Sequence, residues 1–133
     1  MTNIIDSELF LDSCIWIEYF LNKTKETKEI VERERSIIFT SIISIHEIFK
    51  KFLKLNKTEK EALEAIKFVE DNSIIIYLDK EIALNAVIAY KKYKLHTIDS
   101  LIYSSATTKT KAVFVTADKD FHKTPNTKLI EIK

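Results

Sequence analysis

The sequence predicts an α/β fold on a mostly parallel central sheet of about five strands flanked by helices, and three features lead there. Short apolar runs alternate with longer segments of helical periodicity, the pattern of βαβ units. Two of the runs, "IIIYL" and "AVFV", are continuously apolar. That suits strands covered on both faces better than strands with one wet side. No repeat, composition shift or Pro/Gly/Ser-rich linker divides the 133 residues, so residues 1–133 read as a single domain.

Taken in order, "LFL" (Leu9 to Leu11) predicts a short strand and "CIWIEYFL" (Cys14 to Leu21) a helix. "KETKEIVERER" (Lys25 to Arg35) predicts an exposed helix, with Lys25/Glu29 and Glu29/Arg33 at i,i+4 spacing. A strand follows at "IIFT" (Ile37 to Thr40). A helix over Ser44 to Leu55 then places Ile45, Ile48, Phe49 and Phe52 on one stripe. Thr58 to Glu70 forms another helix, with Thr58 and Glu61 spaced as a capping box. "SIIIYL" (Ser73 to Leu78) predicts a buried strand, and Asp79 caps a helix that runs to about Tyr93. The last elements are a helix over Thr97 to Lys109, a strand over Ala112 to Thr116, and a short strand over Lys128 to Ile132.

Composition narrows the chemistry. The chain is 46% hydrophobic and 31% charged, with a formal net charge of +1, so any nucleic-acid contact has to use local patches. Gly is absent, which excludes a P-loop and a Rossmann phosphate cradle. Cys14 is the single cysteine, so no intrachain disulfide forms, and a reducing, cytoplasmic setting is expected. The opening "MTNIIDSELFLDSCIW" has no basic residue before its apolar part and is interrupted by acids, so it reads as no signal peptide. No apolar run is long enough to span a bilayer, so no membrane contact is expected.

The informative residues are acids. Asp12 follows the first strand, Glu47 sits early in the helix after the second, Asp99 lies in the first turn of "TIDSLIYSSA", and Asp118 follows "AVFVT" with Asp120 two residues on. In open α/β sheets ligands bind beyond the carboxyl ends of the strands, which is where these acids fall. Each also has a structural reading. Asp12 or Ser13 would cap the next helix, Ser44 and Glu47 have capping-box spacing, Asp99 would complement a helix dipole, and Asp118 would cap a single turn ending at Phe121. The two readings are compatible, because backbone N–H groups and a helix dipole keep a carboxylate ionised. Converging carboxylates repel without a cation, and an all-oxygen set suits Mg²⁺ or Mn²⁺. Zinc fits poorly, since His46, His96 and His122 are widely spaced and Cys14 stands alone.

The stretches "LFLDSCIW", "TSIISIHEIFKKFL", "HTIDSLIYSSA" and "AVFVTADKDF", in this order, resemble the PIN-domain ribonucleases, and most closely the compact VapC-type toxins of toxin–antitoxin pairs. The resemblance implies a PIN-like three-layer fold and metal-dependent hydrolysis of RNA phosphodiester bonds. It implies that Asp12, Glu47, Asp99 and Asp118 form the catalytic metal site, with Asp120 a weaker ligand. Thr116 would orient a site carboxylate, and Ser13 would support it. Lys50, Lys51, Lys119 and Lys123 are expected to contact RNA. The expected partners are the RNA substrate, a cognate antitoxin and a second copy of the chain. Cys14 departs from the polar residue common in relatives, and "TTKTKAVFV" lacks the Gly that often ends the preceding helix. Two alternatives stand beside the toxin: an RNA-maturation nuclease without an antitoxin, and a non-catalytic PIN-like binding module. A phosphatase is disfavoured because "DSC" replaces the D-x-D that such an enzyme carries after its first strand.

Overall fold

The structure, a computed structural model, describes residues 8–132, so the reading of residues 1–7 as part of no signal peptide lies outside the described residues. Its strands are β1 (Glu8–Leu11), β2 (Ile37–Ser41), β3 (Ile74–Ile76), β4 (Val113–Thr116) and β5 (Thr127–Leu129). They form one sheet in the order β3-β2-β1-β4-β5, parallel at every junction. The helices are α1 (Ser13–Leu21), α2 (Lys25–Val31), α3 (Ile42–Lys54), α4 (Glu59–Asn72), α5 (Lys80–Tyr93) and α6 (Thr97–Lys109). A single 3₁₀ turn spans Lys119–Phe121.

Strand alternation divides the core in two. Leu9, Leu11 and Val115 join Ile15, Trp16, Ile30, Ile48 and Val69 on one face of the sheet, under α1 to α4. Phe10 and Phe114 join Ala89, Ile102, Tyr103 and Phe121 on the other, under α5 and α6. The result is the expected three-layer α/β arrangement. Burying each of these larger side chains contributes roughly 1.5–3 kcal/mol. Trp16 also anchors a polar chain between layers. Its Nε1 donates to Thr40 Oγ1 at 3.2 Å, Thr40 Oγ1 donates to Ser73 Oγ at 2.9 Å, and Ser73 Oγ donates to Val69 O at 2.7 Å.

Four boundaries differ from expectation. The second helix ends at Val31 rather than Arg35, and its charged i,i+4 pairs are not among the ion pairs of the described residues. β3 is only three residues long and is not a buried strand: Ile74 is 52% exposed and Tyr77 66% exposed. It is an edge strand, so one side has no neighbour. β5, at the other edge, covers Thr127–Leu129 rather than Lys128 to Ile132. α3 begins at Ile42, with Ser41 Oγ accepting the Ile43 N–H at 3.1 Å. Ser44 is therefore inside the first turn, and Ser44 with Glu47 is not a capping box. The Thr58/Glu61 box and the Asp79 cap both form.

Without glycine, other residues turn the chain. Thr110 ends α6 in extended conformation, its Oγ1 donating to Ala106 O at 2.7 Å and accepting the Ala112 N–H at 3.1 Å. Left-handed positions fall on Lys23, Asn56, Lys94 and Asn126. Asn tolerates that region; Lys pays a steric cost at its Cβ. Lys94, at φ 58° and exposed, closes α5. Lys94→Gly is expected to stabilise the protein by about 0.5–1 kcal/mol, relief of that clash exceeding the added entropy of the unfolded chain. Urea unfolding of the two proteins measures this, and a lower midpoint for the variant would contradict it.

Candidate active site

Because all five strands are parallel, their carboxyl ends share one edge, and the loops there bring the acids together. Asp12 immediately follows β1, and its N–H donates to Val115 O at 2.9 Å, extending the ladder to β4. Its carboxylate caps α1, Oδ1 accepting the Ser13 N–H at 2.8 Å. Oδ2 accepts the Thr116 hydroxyl at 2.7 Å across a separation of 104 residues. The same hydroxyl oxygen accepts the Asp118 N–H at 3.0 Å, so Thr116 fixes one acid through its side chain and the next through its backbone. Asp118 Oδ1 in turn accepts the Asp120 N–H at 2.9 Å and caps the 3₁₀ turn.

Glu47 lies in the second turn of α3, where no backbone donor needs a cap. Its Oε1 accepts the Ser13 hydroxyl at 2.8 Å. Ser13 thus joins Asp12 through its N–H and Glu47 through its Oγ. Asp99 enters from the first turn of α6, whose N-cap, His96, makes no side-chain capping bond. Oxygens of Asp99, Asp118 and Asp120 lie within 4.8 Å of one another. Asp120, expected to be the weaker ligand, belongs to this tightest group, while Asp12 and Glu47 are held beside it by Ser13 and Thr116.

The electrostatics show how close the set is. Burial, opposed by the Thr116 and Ser13 hydrogen bonds and reinforced by Glu47 and Asp99, pushes the Asp12 carboxyl up to about 7. Burial, then Asp118, Glu47 and Asp120, pushes Asp99 up to about 6, with His96 pulling the other way. Asp99 is the acid common to both halves of the site. None of the ion pairs among the described residues involves these five acids. Two carboxylates ~5 Å apart at an effective dielectric of ~20 repel by about 3 kcal/mol. A hard divalent cation removes that repulsion and matches the donor set, so the residues present fit Mg²⁺ or Mn²⁺.

Two contributors were not assigned a role from the sequence. Cys14 Sγ accepts the Ala117 N–H at 3.2 Å and lies 3.6 Å from Thr116 Oγ1. Burial and Asp12 push its thiol up to about 12, so it acts as a neutral packing and acceptor group. His96, the N-cap of α6, lies beside Asp99 and pulls its carboxyl down, and its only sequence signal was its place three residues before that acid. Among the lysines expected at RNA, Lys50 and Lys51 line a groove of about 370 Å³ that Ser13 and Glu47 also line. Lys119 and Lys123 are exposed near the 3₁₀ turn and are not among that groove's lining residues.

The family model of the PIN domain matches residues 9–126. The chain belongs to the PIN-domain family. No curated protein matches its sequence. Among solved structures this PIN domain is similar to a toxin–antitoxin complex from Klebsiella pneumoniae (TM-score 0.77, 24% identity, 93% of this chain and 99% of that one). It is also similar to VapBC2 from Rickettsia felis bound to a promoter DNA fragment (TM-score 0.76, 18% identity, 92% and 97% of the two chains). A third is VapC20 of Mycobacterium tuberculosis, described as a toxin that cleaves the sarcin–ricin loop (TM-score 0.71, 12% identity, 94% and 98%). At these identities the likeness is one of fold, and the fold is that of the VapC structures.

The raised carboxyls set a pH dependence whose sign is fixed. Between the unfolded value of 3.8 and the folded values of about 7 and about 6, the native state holds more protons than the unfolded chain. Stability contributed by Asp12 and Asp99 is therefore full below the unfolded value and is lost as pH rises through the folded values. In EDTA, the thermal midpoint of wild type relative to Asp12→Asn should fall between pH 5 and pH 8, and Mn²⁺ should restore it at pH 8. A relative midpoint that is flat over this range, or unmoved by Mn²⁺, would contradict the site's electrostatics.

Proposed function

We propose that this PIN domain is a Mg²⁺- or Mn²⁺-dependent endoribonuclease, and that it acts as the toxin of a toxin–antitoxin pair. The observation that carries the reading is the convergence of five carboxylates at the carboxyl edge of the sheet with no lysine or arginine paired to them among the described residues. A structural role for each acid explains the caps made by Asp12 and Asp118, but not Glu47, which caps nothing.

Asp99, Asp118 and Asp120 are the residues we assign to hold the ion, with Asp12 and Glu47 completing the site from the β1 and α3 side. When bound, the ion lowers the pKa of a water and neutralises charge on the scissile phosphate. The chain's own parts do the rest. Thr116 and Ser13 hold the Asp12 carboxylate in place, so its geometry is set before substrate arrives. Glu47, anchored by Ser13, faces the side on which the groove opens. The in-line displacement would leave a 5′-phosphate and a 3′-hydroxyl. The toxin reading draws on the VapBC complexes of like fold. A small antitoxin would lay a segment over the acidic edge and pair an Arg or Lys with it, displacing the cation. No helix of the described residues is long and apolar enough to cross a membrane.

Asp99→Asn separates a dipole role from a ligand role. As a dipole partner alone, the change would cost about 0.3–1 kcal/mol and leave cleavage intact. As a ligand, Asp99→Asn should reduce Mg²⁺-dependent cleavage of single-stranded RNA to background. Stability in EDTA should stay level or rise as repulsion is relieved. Wild-type cleavage rates in the variant would overturn the assignment. Expression of the chain alone should slow host growth. Normal growth with active enzyme present would favour an RNA-maturation role.

A further inference from the structure

Glu47, Lys50, Lys51 and Lys54 occupy positions i, i+3, i+4 and i+7 of α3, a single stripe along one helix face. The stripe starts at the acid anchored by Ser13 and runs about 10 Å along the helix, away from the acidic edge. All three lysines are exposed, and none is engaged in an ion pair among the described residues. They line one wall of the groove of about 370 Å³ that opens beside Ser13 and Glu47. Ile17 of α1, Ile43 of α3 and Ile98 of α6 give the groove an apolar surface. Ile98, the neighbour of Asp99, is 46% exposed. The buried side of the same helix carries Ile48 and Phe52, so the lysine face is free of any packing role.

We infer that this groove is the track for one arm of a single-stranded RNA substrate, with Lys50, Lys51 and Lys54 on successive phosphates and Ile43 and Ile98 against an unstacked base. The inference rests on the ribonuclease reading and extends it from the scissile bond to the strand beside it. Charge complementarity commits the groove to a polyanion, because its wall carries three cations and Glu47 is its only acid. The apolar surface selects a single strand, since a duplex keeps its base faces stacked inside. The spacing makes the track one-sided: the lysines lead away from the acids in one direction only. A substrate too short to reach past Glu47 makes none of these contacts.

The test compares wild type with Lys50→Ala/Lys51→Ala/Lys54→Ala. A second triple variant, Lys28→Ala/Lys60→Ala/Lys111→Ala, carries the same charge change at exposed lysines elsewhere. Fluorescence anisotropy of a labelled twelve-nucleotide single-stranded RNA in EDTA reads binding without cleavage. The groove variant should bind roughly tenfold more weakly or worse, with a salt slope shallower by about two, as three lost single-strand phosphate contacts dictate. The control variant should follow wild type. In Mg²⁺, the groove variant should raise KM for the twelve-mer with kcat retained, and should cleave a dinucleotide as wild type does. Wild-type protein that binds in this lysine-dependent way but cuts no RNA would support the track while defeating the proposed reaction. Equal affinities and salt slopes for wild type and the groove variant would overturn the track. So would RNA affinity indifferent to the three lysines in a protein whose groove binds a Glu-rich peptide through them.

Discussion

The hydrogen bond from Thr116 Oγ1 to Asp12 Oδ2, at 2.7 Å, is the interaction on which the acidic edge depends. Both residues sit at the carboxyl ends of neighbouring parallel strands, so register alone brings them opposite each other: Leu11 pairs with Val115, and the next pair along is Asp12 and Thr116. The threonine is fully buried and Asp12 is 5% exposed. A carboxylate in that position is costly unless donors reach it. Thr116 and Ser13 are those donors. By also accepting the Asp118 N–H, Thr116 sets the path of the loop that returns toward Asp99. A valine there would have the right shape but would leave one acid short of a donor and the next without its anchor.

Around that bond the site is held in electrostatic tension. The Thr116 and Ser13 hydrogen bonds favour an ionised carboxylate at Asp12, while burial and mutual repulsion favour protonation at Asp12 and Asp99. Among the described residues no lysine or arginine pairs with these acids to resolve the conflict, although 21 such residues are in the chain. A divalent cation bound at this edge would resolve it. The tension also explains the polarity of the surroundings. Cys14, the residue that departs from the family's pattern, stays neutral and lends an acceptor to the Ala117 N–H, so it adds no further charge to the cluster.

Much of this was legible in the sequence because it rests on period and punctuation. The run "AVFV" and the short apolar stretches Leu9 to Leu11 and Ile37 to Thr40 read as strands of a mostly parallel sheet, and parallel strands put Asp12 and Asp118 on one edge before any contact was known. Glu47 was placed correctly on its helix by the apolar stripe of Ile45, Ile48, Phe49 and Phe52, but its structural reading as half of a capping box was mistaken. The spacing of Ser44 and Glu47 imitates a capping box, but Ser41 captures the cap three residues earlier, at the strand's own end. What the sequence did not show was pairing that depends on side-chain direction: Ser13 turning its hydroxyl to Glu47, and Asp120 rather than Asp12 sharing the tight oxygen cluster with Asp99 and Asp118. The edge strands were misjudged for a related reason. "IIIYL" is as apolar as "AVFV", and only its place at the end of the sheet leaves Ile74 and Tyr77 in water.

The central claim is that the acids at this edge form a divalent-cation site. Crystals grown or soaked in Mn²⁺ and measured at a wavelength where manganese scatters anomalously test it most directly. The account predicts an anomalous peak roughly 2–2.3 Å from oxygens of Asp99 and Asp118, with Asp120 or Asp12 in or beside the same coordination shell. A map with no peak at this edge, from crystals whose Mn²⁺ concentration is in the millimolar range, would contradict it. So would a peak held by other residues.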